Sequence, residues 1–192
     1  MKAARTLVGV EKLDVEGKPW PDDCSGLVRT VYDRVGLDLL SAAKPEDNAV
    51  TAIYRWAQQH GRIYTGGRPI PGDLVFYRDT YDLNRDGREN DGLTHIGVVD
   101  KVDDDGTVHV IHRVHGGVKN YKMNLSYLNQ SKSPEGRTVN DYLRLAGRTG
   151  KAQLTSELFM AYATVLPVEP KYAPPMTAQR ETKQSEGGVG SP

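Results

Sequence analysis

Cys24 is the residue with the clearest capacity for chemistry, and it is the only cysteine in 192 residues. It stands in the segment DDCSGLVRTVYDRVG, from Asp22 to Gly36, where Leu27, Val28, Val31, Tyr32 and Val35 recur at helical spacing and Gly36 occupies a typical helix end. Asp23 reads as the N-cap, which puts Cys24 in the first helical turn. Unpaired backbone N–H groups and the positive end of the helix dipole favour thiolate over thiol there, and the thiolate is the form of cysteine that attacks carbonyls. A lone cysteine is more often a small buried hydrophobe. Here its neighbours Asp23 and Ser25 are polar and histidines follow downstream, so the sequence favours a nucleophile.

A cysteine nucleophile needs a base within hydrogen-bond reach and a third polar group to hold that base. His95 is the best base: it opens the strand-like run THIGVV, and Gly97 leaves room on the same face. His109, His112 and His115 compete for the third role. Side chains alternate along a strand, so Val108, Val110 and His112 share one face while His109 and Ile111 take the other. That places His112 on the apolar inner face at the strand's end and makes it the better orienter. His60, before Gly61 at a helix end, reads as a structural residue that serves the last carbonyls, and Trp56 reads as core.

The elements that must position these residues follow from periodicity. A short helix is expected over Ala3 to Leu13, a second over the cysteine segment, and a third from about Asp47 to His60, with Ala49, Ala52, Ile53, Trp56 and Ala57 on one face. Residues 61–71 read as loop. Strands are expected at Leu74 to Tyr77, Thr94 to Val102 and Thr107 to Arg113, the last two joined by the turn signal DDDG as a hairpin; Lys119 to Met123 and Asp141 to Ala146 follow. This order predicts an α+β fold, with N-terminal helices carrying the nucleophile packed on an antiparallel sheet. The domain is expected over residues 1–150, a C-terminal helix over 151–166, and a disordered tail over 167–192, where Pro, Gly, Ser, Gln, Glu and Lys dominate.

Composition narrows the function. Twenty-five basic and 25 acidic residues cancel, and no basic stripe is present, which argues against a nucleic-acid partner. No stretch is long and apolar enough to cross a membrane, and the first ten residues lack the apolar run of a signal peptide before Glu11 and Asp14. One cysteine excludes an internal disulfide. A monomer is expected.

Four motifs, DCSGLV at 23–28, PGDLVFY at 71–77, THIGVV at 94–99 and VIH at 110–112, resemble in order and type the NlpC/P60 cysteine peptidases of bacterial cell walls. The resemblance spans roughly residues 20–146. It implies a papain-like core with Cys24 as nucleophile, His95 as base and His112 as its orienter, acting on peptidoglycan stem peptides, commonly after γ-D-glutamate. It also implies a cell-envelope or secreted location, and it matches Asp23 and Ser25 to positions that hold a substrate amine in members selective for a free peptide N-terminus. The tyrosine and the Gly-Gly pair that usually precede the cysteine motif have no counterpart; residues 15–21 read VEGKPWP. The same triad acting on a protein or lipid outside the wall, or an inactive calcium-binding module, are the alternatives.

A separate signal lies between the first two strands. Asp82, Asn84 and Asp86 occupy positions one, three and five of a calcium loop and Gly87 position six, but position twelve is Leu93 rather than a bidentate Glu. Asn90, Asp91 or a distant carboxylate would have to complete the site. The segment reads equally as a calcium loop or as a plain acidic turn, and the expected reaction requires no cofactor.

Overall fold

The computed structural model describes residues 1–14, 17, 18, 20–146 and 150–166. A single turn, α1 (Lys2–Arg5), precedes the cysteine helix α2 (Cys24–Asp33) and a longer helix α3 (Ala49–His60). The strands are β1 (Arg62–Tyr64), β2 (Leu74–Arg78), β3 (Leu93–Val102), β4 (Val108–Val114), β5 (Gly117–Met123), β6 (Tyr142–Arg144), β7 (Gln153–Leu154) and β8 (Phe159–Thr164). A helical turn, α4 (Thr155–Leu158), links the last two. Six strands form one antiparallel sheet in the order β1-β8-β2-β3-β4-β5, and β6 pairs with β7 separately. The α+β architecture with helices on an antiparallel sheet is therefore the observed one.

Both faces of the sheet are buried. Phe76, Ile96, Val98 and Ile111 face α2 and α3, where Leu27, Val28, Val31, Ile53 and Trp56 meet them. Val75, Tyr77, Val99, Val110 and Met123 point to the other side and pack with Leu158 and Tyr162. Along β2 and the middle of β3 and β4, successive residues alternate between two dry environments, so the register there is strongly specified.

Three expectations are corrected. Residues 151–166 do not form a helix: apart from α4 they run as β7 and β8, and β8 lies between β1 and β2 in the sheet. The segment carries apolar residues on both faces, which imitates helical spacing, and pairing with β2 across more than 80 residues of chain overrides that local pattern. The N-terminal helix stops at Arg5 instead of running to Leu13, as the chain turns through Gly9 at φ +92° to bond Val118. The expected loop at 61–71 contains β1, paired with β8. The tail expectation over 167–192 falls outside the described residues.

Candidate active site

Asp23 caps α2: its Oδ1 accepts from the Gly26 amide at 2.9 Å and from the Ser25 hydroxyl at 2.7 Å. Gly26 is needed for contact rather than for freedom of the backbone. A Cβ there would stand 1.9 Å from the Pro21 carbonyl oxygen, so only glycine lets the lead-in loop fold over the start of the helix. Asp22 fixes that loop from the other side. It takes Arg113 bidentately at 2.7 and 2.9 Å and the Leu13 amide at 2.9 Å, bonds that hold its carboxyl down at about 2. Arg113 is on β4 next to His112, so one ion pair ties the approach to Cys24 to the strand of His112.

His95 is the third residue of β3 and pairs across the ladder with Tyr77. Asn48, the N-cap of α3, donates to the Leu93 carbonyl at 2.9 Å and so anchors the start of that strand to a helix. The structure brings His95 and His112 together: Nε2 of His95 and Nδ1 of His112 lie 3.0 Å apart in a buried hydrogen bond. Only Nδ1 of His95 remains for another partner. Cys24 and His95 line one cavity of about 630 Å³ together with Asp23, Asn48, Tyr81 and His115. A second cavity of about 390 Å³ shares Thr80, Tyr81, Val114, His115 and Leu143 with the first, which makes one continuous cleft.

The ionisation states differ from the expectation of a resting thiolate. Burial pushes the Cys24 thiol up to about 12; the Ile96 amide opposes this, and the Asp23 carboxylate adds to it. Burial likewise lowers His95 to about 4, with Asp23 acting weakly the other way, and drives His112 well below the ordinary imidazole range. The resting pair is a neutral thiol beside a neutral imidazole, because desolvation outweighs the helix-end field.

The remaining sequence candidates fall in several places. Asp23 is exposed at the cavity, and among the described residues its Oδ2 has no partner; Ser25 is buried, with its hydroxyl committed to Asp23. His109 pairs with Asp103 at 2.7 Å, on the far side from the cleft as alternation requires. His60 bonds the Trp56 carbonyl and stacks on the Trp56 ring. In the 82–91 loop the side chains serve the loop's own amides: Asp82 accepts from Asp86 and Gly87, Asn84 from Asp86, Asp86 from Arg88, and Asp91 from Asn84. Asn90 is exposed in the same loop. Among the described residues no group of three or more His, Cys, Asp or Glu side chains is arranged to hold a metal ion.

Sequence reasoning missed Tyr81. It is half-exposed and lines both cavities, and partial burial raises its hydroxyl, with the Asp23 carboxylate adding to the effect. Its backbone is pinned. The Thr80 amide donates to Thr94 Oγ1 at 2.8 Å, Asp79 exchanges bonds with Gly92, and Arg144 donates to the Asp79 carbonyl at 2.7 Å. Asp79 is held at φ +54°, a conformation that costs a non-glycine residue energy and so points to a position under constraint. The available signal was Tyr81 itself, a large aromatic residue in an otherwise polar loop just ahead of the histidine strand.

The family model described as CHAP domain matches residues 14–113, just over half of the chain, with Cys24, His95 and His112 all inside the match. The chain belongs to the CHAP-domain family. CHAP domains are hydrolase domains related to NlpC/P60, so the resemblance read from the four motifs leads to a neighbouring branch of the same chemistry. No curated protein and no solved structure gives a significant match. The CHAP assignment supports hydrolysis of peptidoglycan amide bonds in general, and among the described residues no helix is long and apolar enough to cross a membrane.

Proposed function

We propose that this CHAP domain is a cysteine peptidase or amidase that cuts an amide bond of peptidoglycan stem peptides, at the γ-D-glutamyl–diamino acid junction, in the cell envelope or outside the cell, as a monomer. The observation that supports this most is the buried His95–His112 hydrogen bond opening onto the cavity that holds Cys24. Nδ1 of His95 takes the thiol proton while Sγ attacks the carbonyl carbon. The tetrahedral oxyanion lies against the first-turn amides of α2, and His95 then protonates the departing amine. Water activated by His95 hydrolyses the thioester and restores the thiol. His112 holds the ring of His95 throughout, Tyr81 closes the substrate cleft opposite the helix, and the free oxygen of Asp23 faces a substrate ammonium.

Digestion of purified peptidoglycan by the wild type and by Cys24→Ala, with mass analysis of the fragments, tests the class and the scissile bond together. New stem-peptide termini made by the wild type alone, ending in D-glutamate, are the expected result. Absence of release while Cys24 remains alkylatable would move the substrate to an amide outside the wall. The proposed reaction uses no ion. Calcium binding at the 82–91 loop would have to draw Asp82, Asn84 and Asp86 away from the amides they serve, and would show as a rise in melting temperature with calcium that Asp82→Asn removes.

A further inference from the structure

The bond between His95 and His112 joins two neutral rings, and its shared proton can sit on either nitrogen. Only one arrangement serves the reaction proposed above. When His95 carries the proton on Nε2, its Nδ1 is a lone pair, available to the thiol that shares its cavity. When His112 carries it on Nδ1, the proton of His95 must lie on Nδ1, and the base is blocked. The productive arrangement therefore requires the proton of His112 on Nε2. That nitrogen is fully buried and has no hydrogen-bond partner among the described residues, and the same holds for the hydroxyl of Tyr77.

The two orphaned groups belong to one buried cluster. Tyr77 stands opposite His95 in the β2–β3 ladder, with its ring centroid 5.9 Å from that of His95 and 6.5 Å from that of His112. Gly97 makes this crowding possible, since a Cβ there would lie 2.5 Å from Val110 and 3.1 Å from the Cβ of His112. Tyr121 closes the other side of His112 edge to face, at 4.6 Å and 79°. Buried polar atoms left without protein partners are the usual hosts of ordered internal water.

We propose that Tyr77 is a positioning residue whose hydroxyl accepts the Nε2–H of His112 through one buried water and so selects the tautomer in which His112 accepts from His95. The proton inventory closes. The thiol proton moves to Nδ1 of His95 and later to the leaving amine, while the protons on His95 Nε2, His112 Nε2 and Tyr77 stay in place. The proposal rests on the triad roles assigned above but not on the identity of the substrate.

Nitrogen-15 spectra of the labelled imidazoles at neutral pH test it directly. The wild type is expected to show His112 protonated on Nε2. Tyr77→Phe, which keeps the ring and removes one oxygen, is expected to move part of the population to Nδ1 and to slow alkylation of Cys24 by iodoacetamide about tenfold. In a His112→Asn background, where Oδ1 accepts from His95 without a choice of tautomer, Tyr77→Phe is expected to cause no further slowing. A wild type with His112 protonated on Nδ1 overturns the proposal, and that measurement stands even if the variants fail to fold. An unchanged tautomer and unchanged alkylation in Tyr77→Phe overturn it as well. Neither readout uses peptidoglycan, so failure of the wall substrate is distinguishable from failure of this inference.

Discussion

The two walls of the cleft are built on different principles. On the helical wall, Asp22 and Asp23 are exposed, Cys24 is half-buried, and the segment is held by specific bonds: two to the carboxylate of Asp23, three to that of Asp22. On the sheet wall, His95, His112 and Tyr77 are 8%, 0% and 0% exposed and are held by strand register and packing, with a single hydrogen bond between the imidazoles. The first wall fixes where the sulfur is. The second fixes the ionisation of its imidazoles, because burial keeps both neutral. Substitutions on the helical wall should therefore displace the nucleophile, and substitutions on the sheet wall should change ionisation.

The largest effect is expected where the contrast is sharpest. His95→Gln preserves hydrogen bonding and volume but removes the base, and should lower kcat about 10³-fold or more while the protein melts near the wild-type temperature. Loss of folding with it would show that the sheet wall is maintained by the imidazole itself. Gly26→Ala attacks the helical wall. The new methyl meets backbone at 1.9 Å, so calorimetry should report a loss of about 3 kcal/mol or more, with residual activity reduced by displacement of Cys24.

Acid discriminates between the walls without mutation. His95 is depressed in the folded protein, so its neutral form is favoured above the unfolded value of 6.5, and stability is lost as pH falls through the window from 6.5 towards about 4. His112 acts in the same direction. Melting temperature should fall over that window by an amount corresponding to a few kcal/mol, and activity should persist below pH 6 before collapsing near 4. An ordinary acid limb near 6.5 would place His95 in a wet environment. Asp22, on the helical wall, matters only in the range from 3.8 to about 2.

The smallest effect is expected from Arg113→Gln, which cuts the ion pair joining the walls. The pair is partly exposed, so the stability cost should be about 1 kcal/mol. A several-fold fall in kcat with KM unchanged would separate misplacement of Cys24 from loss of substrate contact, for which Tyr81→Ala, raising KM, is the reference.

Legibility in the sequence follows the same division. The cysteine helix was readable because its signals are local: an N-cap three residues before the amide it accepts from, an apolar stripe, a terminal glycine. The alternation along β4 put His112 rather than His109 on the face of His95, and the structure has His112 bonded to His95 and His109 to Asp103. The state of the thiol was not readable, since the helix-end field is a property of local sequence while the desolvation that defeats it comes from strands 70 residues away. Segment 151–166 was misread for a related reason. A strand buried on both faces carries no alternation, and its identity is set by the neighbours it pairs with.

By itself the sequence determined the α+β class and which of Cys24, His95 and His112 to bring together as candidates, because spacing along helices and strands dictates which side chains share a face. Tertiary structure alone decided that β8 lies between β1 and β2, that Tyr81 lines the same cavity as Cys24, and that thiol and imidazoles rest uncharged. Those outcomes depend on which distant segments exclude water from a group, and exclusion of water is a property of the packed chain, to which every neighbour in space contributes regardless of its distance in sequence.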